Sequence, residues 1–284
     1  MPSSLKSAFK TTSGKIEGVW TALITPFGKG GEVDTAAYLR LVEAQVRSQV
    51  AGIVPCGTTG ESPTLTLEEK KQLIKVSIDA LRGTTVQVMA GTGSNDTKQT
   101  IEFSRWAREA GADCLLIVTP YYNKPSQQGL IDHFLAVAES VDCSVVPYNV
   151  PSRTGIELKL ATLLELSSHP RITALKEASG NLAFDSDLIC ALRTQKSPMT
   201  VLSGDDATTF PLLASGGNGM ISVASNLIPT EMVELFQAVQ RGNLSDAREL
   251  HLNWFPLFRD LFIESNPVPI KFSLSQMGIC SDYV

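Results

Sequence analysis

The stretch VQVMAGTGSNDTKQTIEFSRWAREAGADCLLIVTP, residues 86–120, reads as one complete strand–helix–strand unit. Val86–Ala90 and Cys114–Thr119 are short, nearly continuous apolar runs of strand length. Between them, Asp96–Ala110 has the spacing of an amphipathic helix, with Asn95 or Asp96 placed to cap it. The same alternation extends in both directions. Strand-like runs occur at Val19–Thr25, Gly52–Cys56, Ser144–Asn149, Ile172–Lys176, Thr200–Ser203 and Gly219–Val223, and helical spacing at Thr35–Ser48, Thr66–Leu81 and Gln128–Ser140. Thr66-Leu-Glu-Glu69 is a capping box. Eight βα repeats in about 210 residues predict an α/β fold of the (β/α)8 barrel type rather than a doubly wound sheet. No Gly-rich dinucleotide turn lies near the first strand. Helical segments near Pro229–Arg241, Ser245–Glu264 and Pro269–Met277 follow the eighth strand without a linker-like change of composition. One domain is expected, with a barrel over 15–226 and a C-terminal helical appendage over 227–284. A polar, basic tail over 1–14 is expected to be disordered, and it lacks the apolar core of a signal peptide.

The 284 residues are 43% hydrophobic and 19% charged, an ordinary globular composition. A net charge of -5 without a basic cluster argues against nucleic acid as a partner. Cys56, Cys114, Cys143, Cys190 and Cys280 are odd in number and lack metal or disulfide spacing, so a reducing cytoplasm is expected. His133, His169 and His251 are scattered and form no ligand pair, so no zinc site is expected. No apolar run reaches the roughly 18 residues of a membrane span.

In such a barrel the chemistry sits at the C-terminal ends of the strands. The run Arg171-Ile-Thr-Ala-Leu-Lys-Glu-Ala-Ser-Gly180 places Lys176 at one of these ends. Stripped of water there, its amine would be neutral and nucleophilic more of the time, unless the side chain merely snorkels outward. Gly57-Thr-Thr-Gly-Glu61 ends the second strand with two hydroxyls, and is either a carboxylate cradle or a simple turn. Gly91-Thr-Gly-Ser94 reads as a tight turn. Tyr121 and Tyr122, between prolines, follow the fourth strand and could serve interface packing. Tyr148 follows an apolar run, close to Lys176 on the neighbouring strand, and Arg153 on the next loop could fork a carboxylate. Asp205-Asp206 could bind a metal, but no third ligand is evident, so a pocket-lining loop is preferred. A nucleophilic lysine, a phenol, paired threonines and an arginine form a coherent set. The lysine would condense with a 2-keto acid, and the enamine would attack an aldehyde whose remote carboxylate is clamped by arginine.

GTTGES, AGTGSN, TPYYNKPSQ, YNVPSRTG, KEASGNL, LSGDD and NPVPIK occur in this order from about Gly18 to Lys271. Together they resemble the dihydrodipicolinate synthase family of class I pyruvate-dependent aldolases and lyases. The resemblance implies that Lys176 forms a Schiff base with pyruvate and that Tyr148 is the general acid/base beside it. It also implies that Thr58 relays protons between Tyr148 and Tyr122, the latter reaching into a neighbouring subunit's site. Thr59 would hold the pyruvate carboxylate, and Gly204 and the Ile221 backbone would line the pyruvate site. Arg153 would bind the carboxylate of L-aspartate-4-semialdehyde, which favours the synthases over sialic acid lyases and sugar-acid aldolases. The implied product is 4-hydroxy-tetrahydrodipicolinate, on the route to diaminopimelate and lysine. The implied assembly is a homotetramer built as a dimer of dimers, with no cofactor or metal.

Two departures from the family pattern stand out. Ser62, Asn95 and Tyr121 match a cleft that binds feedback lysine in sensitive members. Gln99, however, replaces a glutamate there and Lys70 a common histidine. Both changes disfavour a cationic effector, so weak or absent lysine inhibition is expected. The chain also stops at Val284, before a final helix usual in the family, which leaves a dimer possible. Three other readings are a sister aldolase, a binding protein on the same scaffold, and a pyridoxal-phosphate enzyme with Ser222–Asn226 as its phosphate loop.

Overall fold

The computed structural model describes residues 15–284; the expected tail over 1–14 lies outside the described residues. Eight strands form the barrel: β1 (Gly18–Ala22), β2 (Gly52–Val54), β3 (Gln87–Gly91), β4 (Cys114–Val118), β5 (Ser144–Asn149), β6 (Ala174–Glu177), β7 (Thr200–Ser203) and β8 (Gly219–Ser222). All neighbours pair in parallel, and β8 closes on β1. The helices are α1 (Thr35–Arg47), α2 (Leu67–Ala80), α3 (Thr97–Ala110), α4 (Gln127–Ser140), α5 (Pro151–Thr154), α6 (Leu160–Leu166), α7 (Leu182–Thr194), α8 (Asp206–Ala214), α9 (Pro229–Gln240), α10 (Leu244–Asp260) and α11 (Val268–Gln276). The sequence therefore folds as the (β/α)8 barrel with C-terminal helices that its alternating pattern predicts.

The period-2 alternation of side chains along each strand divides the core in two. Trp20, Val54, Met89, Leu116, Val146, Ala174, Leu202 and Ile221 fill the barrel interior. Val19, Ile53, Val88, Leu115, Val145, Leu175, Val201 and Met220 face outward, against helix residues such as Leu41, Leu73, Phe134 and Leu188. Trp20 plugs the interior beside its β2 partner Gly52, where a Cβ would lie 2.2 Å from the indole. Truncating so buried an aromatic to alanine costs about 3–5 kcal/mol.

Asp96, rather than Asn95, caps α3 by accepting from the Gln99 N–H at 3.1 Å, and the Thr66–Glu69 capping box forms on α2. Several boundaries shift for identifiable reasons. β1 ends at Ala22, not Thr25, because the Asn226 amide takes over the ladder there, donating to the Ala22 carbonyl at 2.8 Å and accepting from the Ile24 N–H at 3.3 Å. β2 stops before Cys56, which turns the chain at φ 56°. α10 ends at Asp260 instead of continuing to Glu264, which frees Phe262–Asn266 to fold over the barrel mouth. α9 packs on β1, and α10 packs on α8 and α9, so the C-terminal helices share the barrel's core. No described helix is long and apolar enough to cross a membrane.

Candidate active site

Lys176 is the penultimate residue of β6, and the strand's alternation turns its side chain into the barrel at the C-terminal end. It is only 5% exposed. Burial lowers its amine's pKa from 10.5 to about 7; the Asp206 carboxylate opposes this, and the Arg153 guanidinium adds a smaller push downward. Glu177, next along the strand, faces the other way. Its carboxylate accepts from Asn149 Nδ2 at 2.8 Å and from the Ser179 N–H at 2.6 Å, pinning the ends of β5 and β6 together.

Tyr148 is the register partner of Lys176 on β5. The Lys176 Nζ lies 4.0 Å from the centroid of its ring. Burial raises the Tyr148 pKa to about 12, against the Arg153 charge and a hydrogen bond with the Thr58 side chain. The phenol therefore stays protonated at neutral pH and can donate. Thr119 holds this strand end in place, its N–H and hydroxyl donating to the Tyr148 carbonyl at 3.0 and 2.8 Å.

The amine and phenol open onto a cavity of about 700 Å³ that Thr58, Thr59, Arg153 and Gly204 also line. Gly204 is needed because the Lys176 side chain runs across it. Asp206 fixes the neighbouring wall, its carboxylate accepting from the N–H groups of Val223 and Ala224 at 3.0 and 2.8 Å. Asp205 caps α8 through the Ala207 N–H at 2.9 Å. Both acids are thus engaged in shaping a loop, and no cluster of three or more His, Cys, Asp or Glu able to hold a metal occurs among the described residues. The turn after β2 is closed by Glu61 N–H to Thr58 carbonyl at 3.0 Å and held from beneath by the Thr25 hydroxyl on the Gly60 carbonyl at 2.8 Å.

The geometry assembles Lys176, Tyr148, Thr58, Thr59, Arg153 and Gly204 around one space. The Ile221 side chain is buried in the barrel interior, and Val223, two residues further on, lines the cavity. Tyr122 is 89% exposed on the loop after β4 and lies outside this cavity. Ser62 and Tyr121 line an adjoining space of about 250 Å³ that also reaches Tyr148 and Arg153. Gln99 lines a third space of about 360 Å³, which shares Ser62 and Lys70 with the second. Asn95 is fixed by its carbonyl, which accepts from Asn123 Nδ2 at 2.8 Å.

Among the cavity-lining residues that the sequence does not mark for a role, Asn266 is the one bonded to two of the site's side chains. Asn266, in the NPVPIK run, donates from Nδ2 to Thr59 Oγ1 at 2.9 Å, while its carbonyl accepts from Arg153 Nη2 at 3.4 Å. Its Oδ1 is buried without a hydrogen-bond partner, an unsatisfied acceptor on a residue that lines the cavity. The only sequence signal was a polar residue opening an otherwise apolar terminal run.

Residues 15–284 match the Dihydrodipicolinate synthetase family. A 4-hydroxy-tetrahydrodipicolinate synthase of Nitratidesulfovibrio vulgaris is 47% identical over 267 residues, 93% of this chain and 89% of the relative. The crystal structure of dihydrodipicolinate synthase from Aquifex aeolicus superposes with a TM-score of 0.90 at 42% identity, covering 94% of this chain and 90% of that one. A monomeric dihydrodipicolinate synthase variant, 38% identical, superposes with a TM-score of 0.92 over 94% of this chain and 89% of its own. With a buried lysine and phenol at the mouth of its barrel and relatives of this closeness, the chain is an enzyme of the dihydrodipicolinate synthetase family.

Proposed function

We propose that the enzyme condenses pyruvate with L-aspartate-4-semialdehyde to give 4-hydroxy-tetrahydrodipicolinate, with Lys176 as the Schiff-base amine. The observation that carries this is the buried Lys176 amine against the protonated Tyr148 phenol, in a cavity that also presents Thr59 and Arg153. Neutral Lys176 attacks C2 of pyruvate, and Tyr148 protonates the departing hydroxyl of the carbinolamine as water. The resulting iminium loses a C3 proton to the phenolate and becomes an enamine. The enamine carbon bonds to the aldehyde carbon of the second substrate, whose oxygen takes a proton. The substrate's own amine then attacks C2 and displaces Lys176, closing the ring. Thr59 holds the pyruvate carboxylate and Arg153 that of the aldehyde. Gly204 leaves room for the lysine chain.

No cofactor is required, since every step is proton transfer or addition at a carbonyl. The Ser222–Asn226 turn is ill suited to a phosphate group, because the Asp206 carboxylate already occupies the Val223 and Ala224 N–H groups. Tyr122, exposed on its loop, completes the proton relay of a second copy, in a homotetramer or a dimer. Five unpaired cysteines support a reducing, cytoplasmic setting.

Borohydride reduction in the presence of pyruvate, followed by intact mass and peptide mapping, tests the assignment. One reduced adduct on Lys176 is expected, and folded protein without an adduct would overturn it. Offering aspartate semialdehyde beside N-acetylmannosamine then distinguishes synthase from sugar-acid aldolase.

A further inference from the structure

Lys271 is completely buried in α11, outside the barrel mouth, a rare position for an ammonium. Three partners surround it. Its Nζ pairs with the Glu61 carboxylate, donates to the Tyr283 carbonyl at 2.6 Å, and lies 4.1 Å from the centroid of the Phe27 ring. Burial lowers the pKa of this amine, and the Glu61 carboxylate works against that.

The Glu61 side chain is only 10% exposed, so the pair is shielded from water on both sides. Glu61 also stands at φ 55°, a left-handed conformation that a residue with a side chain holds only when its surroundings enforce it. Its N–H bonds the Thr58 carbonyl at 3.0 Å, so the position of Glu61 is transmitted to Thr58 and Thr59. Asn266, two residues before the same helix begins, reaches Thr59 Oγ1 at 2.9 Å. The turn is therefore gripped twice, by Asn266 from the segment that leads into α11 on its Thr59 hydroxyl and by Lys271 from α11 on its last side chain. A pair of apolar residues could fill this volume without desolvating two ions, but it would not tether Glu61 directionally.

We propose that Lys271 is a positioning residue for the keto-acid site: through Glu61 it holds the Gly57–Glu61 turn where Thr59 can receive the carboxylate and Thr58 can meet Tyr148. The role rests on Lys176 and Thr59 acting as proposed above. Lys271 itself touches no reacting atom. Its effect is on where the turn stands relative to Lys176.

The test is the pyruvate dependence of borohydride trapping, read by intact mass, alongside thermal unfolding. Wild-type enzyme that gives no adduct would bring down the Schiff-base assignment, and this inference with it. With trapping established, Lys271→Met is expected to raise the pyruvate half-saturation by about tenfold, with less change in the rate at saturation, because ground-state positioning is lost. Lys271→Arg, which retains a cation for Glu61, should recover much of it. The Glu61→Gln/Lys271→Met double variant separates positioning from stability. Removing the stranded carboxylate should bring the melting temperature back toward wild type, while half-saturation stays raised. Half-saturation that returns with the melting temperature, or is unchanged in folded Lys271→Met, would overturn the role. Should Lys271→Met not fold, Glu61→Gln alone decides it, since a weakened tether must still raise half-saturation.

Discussion

Gly204 on the loop after β7 and Lys176 on β6 are in such close contact that a Cβ on the glycine would lie 2.8 Å from the lysine Cε. The Ala178 Cβ would be equally close, at 2.8 Å, so neither side has space to give. Gly204→Ala must therefore push the lysine stem off its path toward Tyr148. The expected result is a folded protein, destabilised by about 1–3 kcal/mol, whose pyruvate-trapping rate falls at least about tenfold. Trapping at the wild-type rate would mean that the lysine reaches its substrate by another route.

The lowered pKa of Lys176 fixes a pH dependence. Trapping should rise with pH up to about 7 and then level off, where an ordinary lysine would keep gaining toward 10.5. The sign for stability follows from proton linkage. Between about 7 and 10.5 the unfolded chain binds a proton on this amine that the folded chain does not, so its burial penalty is full below 7 and fades as pH rises. Lys176→Met should accordingly be inactive yet more stable by about 1 kcal/mol or more near neutrality. That gain should shrink on going to alkaline pH, as followed by chemical denaturation at several pH values.

Arg153 lowers the pKa of both Lys176 and Tyr148 while lining the cavity. Arg153→Ala should leave pyruvate trapping intact above its pH midpoint but raise the KM for aspartate semialdehyde about ten- to hundredfold, as loss of a charge-assisted bond to a carboxylate implies. The pH midpoint of trapping should move upward, because a neighbouring positive charge has been removed. A KM effect without the pH shift would place the guanidinium's influence on the acceptor alone.

The barrel was legible because eight apolar runs of strand length alternate with amphipathic helices, a pattern local enough to survive without tertiary information. Lys176 and Tyr148 were legible for the same reason: each ends an apolar run, and consecutive strands of a barrel are neighbours, so the two had to come together. Asn266 and Lys271 were not. Their partners, Thr59 and Glu61, lie some 200 residues away, and only the return of α11 and the segment leading into it over the β2 turn joins them. Asp206 was visible as an acid after a strand, but the backbone donors that claim it, Val223 and Ala224, belong to the turn after β8, beyond the reach of any local pattern.

Free lysine should inhibit weakly or not at all. Lys70 lines the space that adjoins the site and the one beyond it, where Lys71 and Gln99 stand beside a single carboxylate, Glu102, so a lysine ligand would meet two cations and find no acid at position 99. A titration with initial rates checks this, and strong inhibition at sub-millimolar lysine would refute it.

Tyr122 is 89% exposed with φ 69°, held outward on its loop, while Tyr148 is buried and Thr58 partly buried. If it completes the site of a second copy, Tyr122→Phe should lower kcat about 10²-fold, the usual contribution of a proton carrier. Lys176→Met is inactive for a different reason, in a different half of the composite site. Mixing the two variants under conditions that exchange subunits should create sites with Lys176 from one chain and Tyr122 from the other. Random pairing would return roughly a quarter of wild-type activity in a simple dimer. A mixture no more active than the average of its parents would place the Tyr122 hydroxyl outside the relay, and each chain's site would then work without its neighbour.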